Sequence, residues 1–428
     1  MHLLYAIASY LLFLLGLPVL LFHPKLRHGV PARLGVYKRS QPRGEGSPRI
    51  WLHGASAGDL LSLEPMMREL KKRQPGCCII VTTMTNSGLA MARKKLPGLA
   101  DVVVYAPYDL YGATRRAVAH LRPDLLVLEY TEIWPNLIRA ARKAGVRIAL
   151  TNGRFNPEKL SRYRALFRAI GNPLRRIDCF LMRSDEEAQR ALALGAAPDR
   201  VFVTGNTKFD ALVLDGAASR EEALRGEMAL DPARPVLMAG STHEGEEELI
   251  LAVYARLLAR HPRLQLVVAP RYVERSGRIM ALAAEAGLSV RLRSGGAAAG
   301  HAQVTVLDTI GELAIAYRLA TLVFVGGSFV TRGGQNVLEP AAQGKPVLFG
   351  PHMENFKDSV QVLQGRGGLQ VATPDQLHKV ADELLSRPDQ LQELGEMARQ
   401  SVTAIRGASA RNVDHMLSIL PRGKAAAA

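Results

Sequence analysis

The hydrophobic positions of this chain fall into short apolar runs that alternate with amphipathic stretches. In the first half these runs predict strands at Ile50–His53, Cys78–Thr83, Asp101–Tyr105, Leu125–Leu128, Val146–Thr151, Ile177–Met182 and Val201–Val203. In the second half they predict strands at Val236–Ala239, Leu264–Ala269, Val304–Leu307, Leu322–Val325 and Pro346–Phe349. Continuous apolar strands separated by helices are typical of parallel sheets that are covered on both faces. The sequence therefore predicts an α/β protein with two doubly wound, Rossmann-like domains in tandem.

Charged and proline-containing segments divide this pattern into domains. The predicted boundaries are a hydrophobic segment at 1–23, a basic segment at 24–48, a first domain at 49–210, a hinge at 211–234, a second domain at 235–408, and a C-terminal helix with a tail at 409–428. Open α/β sheets bind ligands beyond the carboxyl ends of their strands. Two such domains predict a two-substrate group transfer in a cleft between them.

The N-terminal segment predicts attachment to a membrane. Leu3–Phe22 is a run of 20 residues without a charge, and a helix of that length covers about 30 Å, the thickness of a hydrocarbon core. Basic residues follow it at Lys25, Arg27, Arg33, Lys38, Arg39 and Arg43. By the positive-inside rule, the rest of the chain is expected on the cytosolic side of a single span. A cleaved signal peptide is a weaker alternative, because the segment has neither a basic region before it nor a small-residue cleavage site after it. Gly16 and Pro18 would kink a spanning helix, so a monotopic or re-entrant segment is another alternative.

Composition narrows the choice of partners. The 428 residues include 55 Lys and Arg against 39 Asp and Glu, a net charge of +16, which favours anionic partners. Because the basic residues are not interleaved with aromatic ones, anionic membrane lipids and acidic sugars are favoured over nucleic acid. Three cysteines and scattered histidines offer no metal-binding spacing, so no metal is predicted.

The loop His53–Asp59 follows a predicted strand and precedes a predicted helix. Gly54, Ser56 and Gly58 match GxSxG, the nucleophile elbow of α/β-hydrolases. An elbow lies in mid-sheet, whereas Ser56 follows the first strand of its domain, so a hydrolase is the weaker interpretation. A plain glycine turn is another. In a third interpretation, Asp59 is a general base at the carboxyl end of the preceding strand.

Two further segments of the first domain carry candidate catalytic groups. Glu129 and Glu132 lie at the end of an apolar strand, where carboxylates are unfavourable unless they are paired or face water. Glu132 could instead cap neighbouring amides. Lys208, at the end of the domain, could stabilise a leaving phosphate or could be an ordinary solvated lysine.

The second domain carries a glycine-rich segment suited to a nucleotide. Gly326, Gly327 and Ser328 end a predicted strand, and Asn336 to Glu339 open a helix. Glycines let backbone N–H groups approach a phosphate, and Glu339 could accept bonds from ribose hydroxyls. Candidate positions for the same ligand are Pro270, Arg271, Ile310, Gly311 and Glu312.

These motifs together resemble one family over nearly the whole chain. They are Arg33–Gly35, Ser56–Asp59, Thr82–Thr85, Tyr108-Asp109, Glu132–Asn136, Gly205–Asp210, Ser241–Glu246, Gly326–Ser328, Gly333–Glu339 and Gly350–His352. The chain thus resembles the membrane-anchored 3-deoxy-D-manno-octulosonic acid (Kdo) transferases of lipopolysaccharide synthesis, glycosyltransferases of the GT-B fold.

The resemblance implies an inverting transfer of Kdo from CMP-Kdo to a lipid A precursor at the cytosolic face of the inner membrane. CMP-Kdo is the donor substrate, and neither a cofactor nor an obligate protein partner is implied. A carboxylate of the first domain would deprotonate the acceptor, and Lys208 would support the transition state. CMP would bind at Pro270, Arg271, Ile310, Gly311, Glu312, Asn336, Val337, Leu338 and Glu339.

Two residues depart from the family pattern. The family base is Glu where this chain has Asp59, which retracts the carboxylate by one methylene. A second family acid is replaced by Tyr130, and Glu129 is displaced by one position, toward the other face of a strand. A paralogue with another acceptor, or with weakened activity, is therefore the main alternative. A membrane-attached protein that binds CMP-sugars without turnover is another.

Overall fold

The structure, a computed structural model, describes residues 2–22, 28–37, 44–211, 218–296 and 301–421. The chain divides into two compact units, residues 1–211 with 405–428 and residues 212–404.

A seven-stranded parallel sheet forms the centre of the first unit. Its strands are β1 (Arg49–His53), β2 (Cys78–Thr83), β3 (Val102–Tyr105), β4 (Leu125–Glu129), β5 (Arg147–Gly153), β6 (Cys179–Met182) and β7 (Val201–Val203). They lie in the order β3-β2-β1-β4-β5-β6-β7. The direction of winding reverses between β1 and β4, and open α/β sheets bind ligands at such a switch point.

Helices surround this sheet. They are α1 (His2–Phe22), α2 (Val30–Arg33), α3 (Ala57–Arg73), α4 (Asn86–Lys95), α5 (Tyr111–Leu121), α6 (Pro135–Lys143), α7 (Leu160–Ile170) and α8 (Asp185–Ala193). Polar side chains cap the N-termini of α3, α4 and α8: Ser56, Thr85 and Ser184 each accept a hydrogen bond from a backbone N–H in the first turn. All six residues of β2 are buried, as expected for a strand covered on both faces.

The second unit repeats this architecture. Its parallel strands are β8 (Val236–Thr242), β9 (Gln265–Pro270), β10 (Val290–Leu292), β11 (Val304–Val306), β12 (Leu322–Val325), β13 (Val347–Phe349) and β14 (Gly368–Gln370), in the order β10-β11-β9-β8-β12-β13-β14. Its helices are α9 (Ala218–Glu227), α10 (Glu246–Leu258), α11 (Ser276–Glu285), α12 (Leu313–Ala316), α13 (Leu338–Ala342), α14 (Lys357–Leu363), α15 (Pro374–Leu385) and α16 (Pro388–Ile405). The predicted pair of doubly wound parallel sheets is thus confirmed. The predicted hinge contains α9, and residues 212–217 of that hinge lie outside the described residues.

The last helix, α17 (Ala408–Ser418), belongs to the first unit. The Asp210 carboxylate accepts the backbone N–H groups of Gly407 and Ser409 at 2.6 and 2.5 Å. Val413 and Met416 are fully buried in the same apolar core as α3. The end of the chain therefore covers one side of α3.

The hydrophobic N-terminal segment forms α1, which packs along one side of the first unit. Tyr5 donates to Asp109 at 2.8 Å, and Gly112 N donates to the Tyr10 hydroxyl at 2.9 Å. Apolar side chains are exposed elsewhere on α1, at Leu3, Leu4, Ile7, Leu11, Leu12, Leu14, Leu15, Val19 and Phe22.

Within the described ranges, no helix has both the length and the apolarity needed to cross a bilayer. The prediction of a membrane-spanning anchor is therefore not supported. Arg33, assigned to the basic flank, is 4% exposed, lies 4.3 Å from the ring centroid of Tyr105 and donates to Met84 O at 2.8 Å. The other basic residues of that flank lie outside the described residues.

Candidate active site

The candidate catalytic groups of the first unit lie at the carboxyl edge of its sheet, near the switch point. Asp59 follows β1, Glu129 ends β4, and Glu132 lies three residues further on. The strand order makes β1 and β4 neighbours, so these carboxylates come from adjacent strand ends.

Asp59 lies in the first turn of α3, where its carboxylate takes part in a capping box. Ser56 N donates to Asp59 Oδ2 at 2.8 Å, and Asp59 N donates to Ser56 Oγ at 3.4 Å. This reciprocal pair satisfies two backbone donors of the helix start. The predicted base is therefore partly exposed at the end of β1, with one carboxylate oxygen already bonded.

The same contacts indicate the role of Ser56. The Ser56 hydroxyl caps α3. The nearby His53 contacts other residues, because its Nδ1 lies 3.0 Å from Thr82 Oγ1 and its Nε2 lies 3.4 Å from Glu132 Oε2. Among the residues that the structure describes, no histidine hydrogen-bonds Ser56. This arrangement favours the capping role over a nucleophile.

Glu129 is fully buried, so its side chain cannot touch a substrate in this conformation. Its carboxylate accepts bonds from Ser62 Oγ, Thr151 Oγ1 and Asn152 Nδ2 at 2.9, 2.5 and 2.6 Å. Burial raises the pKa of Glu129 to about 7, although these bonds oppose the rise. The buried carboxyl links the end of β4 to β5 and to α3.

Asn152 and Thr207 extend this network toward Lys208. Asn152 Nδ2 donates to Thr207 Oγ1 at 2.5 Å, and Thr207 N donates to Asn152 Oδ1 at 3.0 Å. Thr207 Oγ1 also donates to Ser62 O at 2.9 Å. The residue before Lys208 is thereby tied to the helix that carries Asp59.

Lys208 lies over the face of Tyr130, with Nζ 5.1 Å from the ring centroid. Tyr130 has a backbone φ of 54°, a left-handed conformation at the turn after β4. Tyr130 therefore offers Lys208 an aromatic face, which attracts a cation through the ring quadrupole.

Two side chains contact the Glu132 carboxylate. Trp134 Nε1 donates to Glu132 Oε2 at 2.8 Å, and His53 Nε2 lies 3.4 Å from the same oxygen. Burial opposes ionisation of Glu132, yet the bond and charge of His53 and the bond of Trp134 bring its pKa below the ordinary value. Glu132 is thus a partly exposed carboxylate whose ionised form is favoured by its neighbours.

In the second unit, Arg271 follows β9 and is exposed.

The sequence did not assign His243, Gln335 and Arg332 to the site, although His243 and Gln335 lie in motifs that carried the resemblance. The His243 ring meets Tyr272 edge to face, with centroids 5.8 Å apart, and its Nε2 lies 3.4 Å from Gln335 Nε2. Burial, together with the charges of Arg332, Arg271 and Arg275, lowers the pKa of His243 below its usual value.

Asn336 and Glu339 contact each other at the start of α13. Asn336 Nδ2 donates to Glu339 Oε1 at 3.1 Å, and Asn336 Oδ1 accepts from Leu338 N at 3.1 Å. Burial raises the pKa of Glu339. Val337 and Leu338 are buried, and Leu338 N is already bonded to Asn336, so neither of these predicted residues is open to a ligand in this conformation.

Two other predicted groups are engaged within the protein. The backbone N–H groups of Gly327 and Ser328 donate to the Glu246 carboxylate at 2.6 and 3.0 Å, so these two amides do not face an open phosphate site. Glu312 forms ion pairs with Arg293 and Arg220. Its neighbours Ile310, 86% exposed, and Gly311 lie in a loop at the carboxyl end of β11.

In the described ranges, no cluster of three His, Cys, Asp or Glu residues could hold a metal ion.

Comparison with known proteins identifies the family. Residues 28–211 match the family described as 3-deoxy-D-manno-octulosonic-acid transferase (kdotransferase). The chain is 33% identical to the 3-deoxy-D-manno-octulosonic acid transferase of Bordetella pertussis over 396 residues, 90% of each chain. It is 30% identical to that of Haemophilus influenzae over 403 residues, 93% of each chain.

A solved structure agrees with the architecture. UDP-GlcNAc 2-epimerase from Neisseria meningitidis superposes with a TM-score of 0.62 over 86% of this chain and 100% of that chain, at 14% identity, which shows the fold alone. The family match and the two related transferases show that the chain is a glycosyltransferase that belongs to the 3-deoxy-D-manno-octulosonic acid transferase family.

Proposed function

We propose that the protein transfers Kdo from CMP-Kdo to a hydroxyl of a lipid A precursor, with inversion at the anomeric carbon. The acceptor oxygen attacks the anomeric carbon of Kdo, and the bond from that carbon to the CMP phosphate oxygen breaks. The proton of the acceptor hydroxyl passes to a carboxylate, and CMP leaves with the electron pair. The proposal includes no metal and no cofactor.

The observation that carries this proposal is the position of Asp59. It stands where the family places its base, in the first turn after β1, and its Oδ2 is occupied by Ser56 N. Its Oδ1 has no hydrogen-bond partner within the described parts of the chain, so this oxygen is available to take a proton. Lys208, tied to α3 through Thr207, supplies positive charge to the same edge of the sheet.

The donor is assigned to the second unit. Arg271 and the 336–339 segment lie at the carboxyl end of its sheet, together with Pro270 and the 310–312 loop. Arg271 brings a positive charge close to His243 and Glu339. These groups suit a substrate that carries both a phosphate and a carboxylate.

The acceptor side supports a second candidate, a transferase with a changed acceptor or weak activity on the standard one. Tyr130 presents a ring to Lys208 where the family has a carboxylate. Asp59 is also one methylene shorter than the family base, and a misplacement of about 1 Å can lower a rate on the order of 100-fold.

The protein is further proposed to act at the cytosolic surface of the inner membrane. The exposed leucines of α1 supply an apolar surface, while Tyr5 and Tyr10 hold the helix against the first unit. Such a helix would lie in the plane of the interface, where anionic lipids attract a chain of net charge +16.

Incubation of the purified protein with CMP-Kdo and a tetraacylated lipid A precursor tests the proposal. Mass spectrometry is expected to show the precursor heavier by one or more Kdo residues, with release of CMP. Release of CMP only with a different acceptor would favour the second candidate. Binding of CMP without transfer to any acceptor would contradict both.

A further inference from the structure

Glu246 is a fully buried carboxylate at the first position of α10. Its Oε2 accepts His243 N at 2.9 Å and Gly327 N at 2.6 Å. Its Oε1 accepts Ser328 N at 3.0 Å and Phe329 N at 2.9 Å. Four backbone donors therefore converge on one side chain, which compensates for the loss of water around a buried charge.

The loop after β12 is shaped around this carboxylate. A Cβ atom on Gly326 would lie 2.9 Å from Glu246 Oε2 and 2.6 Å from Thr242 Cα, so the close approach requires glycine. Successive backbone N–H groups that point into one concavity form an anion-binding nest. In this protein the anion in the nest is a side chain.

The loop in turn holds two further segments of the candidate donor site. Gly334 N donates to Gly327 O at 2.8 Å, and His352 N donates to Ser328 O at 2.9 Å. Gln335, the next residue, brings its side chain to His243. Glu246 thus holds His243 directly and the 332–336 segment through Gly327.

We propose that Glu246 is a positioning residue for donor binding, an internal anion that fixes the 327–329 loop and His243 so that the adjacent segments receive the nucleotide sugar. This inference rests on the proposed function. The inference also extends the proposed function, because the loop amides already donate to Glu246. The donor phosphate must then bind side-chain cations instead, and Arg271 and Arg332 are the guanidinium groups that stand near His243 without an ion pair among the described residues.

Glu246→Gln tests the proposal, with Glu247→Gln as its matched control. The amide retains the size of Glu246 but turns an N–H group toward backbone donors. Glu247 is also fully buried, and its partners are the side chains of Arg275 and Thr242, not the loop. Both variants therefore remove one buried carboxylate from the same turn of α10.

The expected result is a rise in the KM for CMP-Kdo on the order of 10- to 100-fold in Glu246→Gln, with the KM for the acceptor unchanged. The dissociation constant for CMP, measured by calorimetry without turnover, is expected to rise in parallel. Glu247→Gln is expected to lower the melting temperature while both donor constants stay within about twofold of wild type. Equal effects of the two variants on donor binding, or none from Glu246→Gln, would overturn the proposal.

Hydrogen exchange of the wild-type protein gives a second test that does not depend on the variant folding. The amides of residues 327–329 are expected to exchange slowly without nucleotide, and CMP is expected to add no protection there. Fast exchange that becomes slow with CMP would show that the amides await the phosphate, and would refute the role of Glu246. A wild-type protein that neither binds CMP nor transfers Kdo would reject the proposed function, and the exchange without nucleotide would still decide the structural assignment.

Discussion

The ammonium group of Lys208 lies 5.1 Å from the centre of the Tyr130 ring. This lysine therefore meets a π face at the turn after β4. A cation over an aromatic face is stabilised by about 0.5–2 kcal/mol, depending on how dry the site is. The contact orients Lys208 without neutralising its charge.

Replacement of Tyr130 tests whether the ring or the missing acid limits transfer. Tyr130→Phe keeps the face under Lys208, so kcat/KM is expected to stay within about twofold of wild type. Tyr130→Glu introduces the acid that the family resemblance implies at this position and is expected to raise kcat/KM for the lipid A precursor on the order of tenfold. Initial rates with both variants measure this. A lower rate in Tyr130→Glu would indicate that the ring suits a different acceptor.

Asp59 combines two roles that substitution can separate. Asp59→Asn keeps an oxygen for Ser56 N but cannot accept the proton, so transfer is expected to fall at least 100-fold with CMP binding unchanged. Ser56→Ala removes the cap and is expected to reduce the free energy of unfolding by about 1 kcal/mol, with most activity retained. Urea titration and rate measurement on both variants provide the comparison. Loss of all activity in Ser56→Ala would instead favour a serine nucleophile.

Asp59→Glu is the complementary change. It lengthens the carboxylate by one methylene and is expected to increase the rate of Kdo transfer, because the acid then has the length that the family resemblance implies for the base. A rate equal to or below that of wild type would show that the local backbone has already adapted to the shorter acid.

The buried Glu129 carboxyl predicts a dependence of stability on pH. Its pKa, about 7 in the folded protein against 4.5 for an ordinary Glu, means that the folded state binds more protons between these values. The free energy of unfolding is therefore expected to fall as pH rises from about 4.5 to 7, by roughly 3 kcal/mol in total. Glu129→Gln is expected to flatten this dependence in urea titrations at pH 5, 6, 7 and 8.

The exposed Glu158 supplies the control for that measurement. Glu158→Gln removes a carboxylate in solvent, so its pH dependence is expected to follow that of wild type. If Glu129→Gln kept the full slope, the loss of stability would have to come from other groups.

The apolar surface of α1 predicts association with lipid. Leu12 and Leu15 are 70% and 78% exposed, and replacing both with Gln is expected to weaken binding to anionic vesicles on the order of tenfold. The matched control replaces Leu61 and Val203, which are exposed elsewhere on the first unit, with Gln. Vesicle flotation measures the difference. Equal binding by both double variants would argue against α1 as the contact.

Much of the fold follows from local patterns in the sequence. β2 forms at Cys78–Thr83 as predicted, because six consecutive residues are apolar or small and all are buried. β10 and β14 were missed because each has three residues and neither has a continuous apolar run: Arg291 interrupts β10, and Gly368 begins β14. Their pairing comes from the neighbouring strands β11 and β13.

The candidate site shows the limit of such reasoning. The sequence predicts that the glycine loop after β12 binds a phosphate, but it does not reveal that the loop amides contact the carboxylate of Glu246, some 80 residues earlier. The cost of a buried acid at the end of β4 was likewise foreseen, whereas its partners Ser62 and Asn152 come from other elements. Side chains brought together by the tertiary fold leave no periodic signal.

The return of α17 to the first unit limits how the chain can be cut. A fragment that stopped at residue 211 would lose the partners of the Asp210 carboxylate and would expose the apolar side of α3 that Val413, Met416 and Leu420 cover. Such a fragment is expected to aggregate unless residues 405–421 are supplied, for example by fusing them behind a short linker. Integrity of the helix that bears Asp59 thus depends on residues 405–421, so the first unit can fold fully only after that segment has been synthesised.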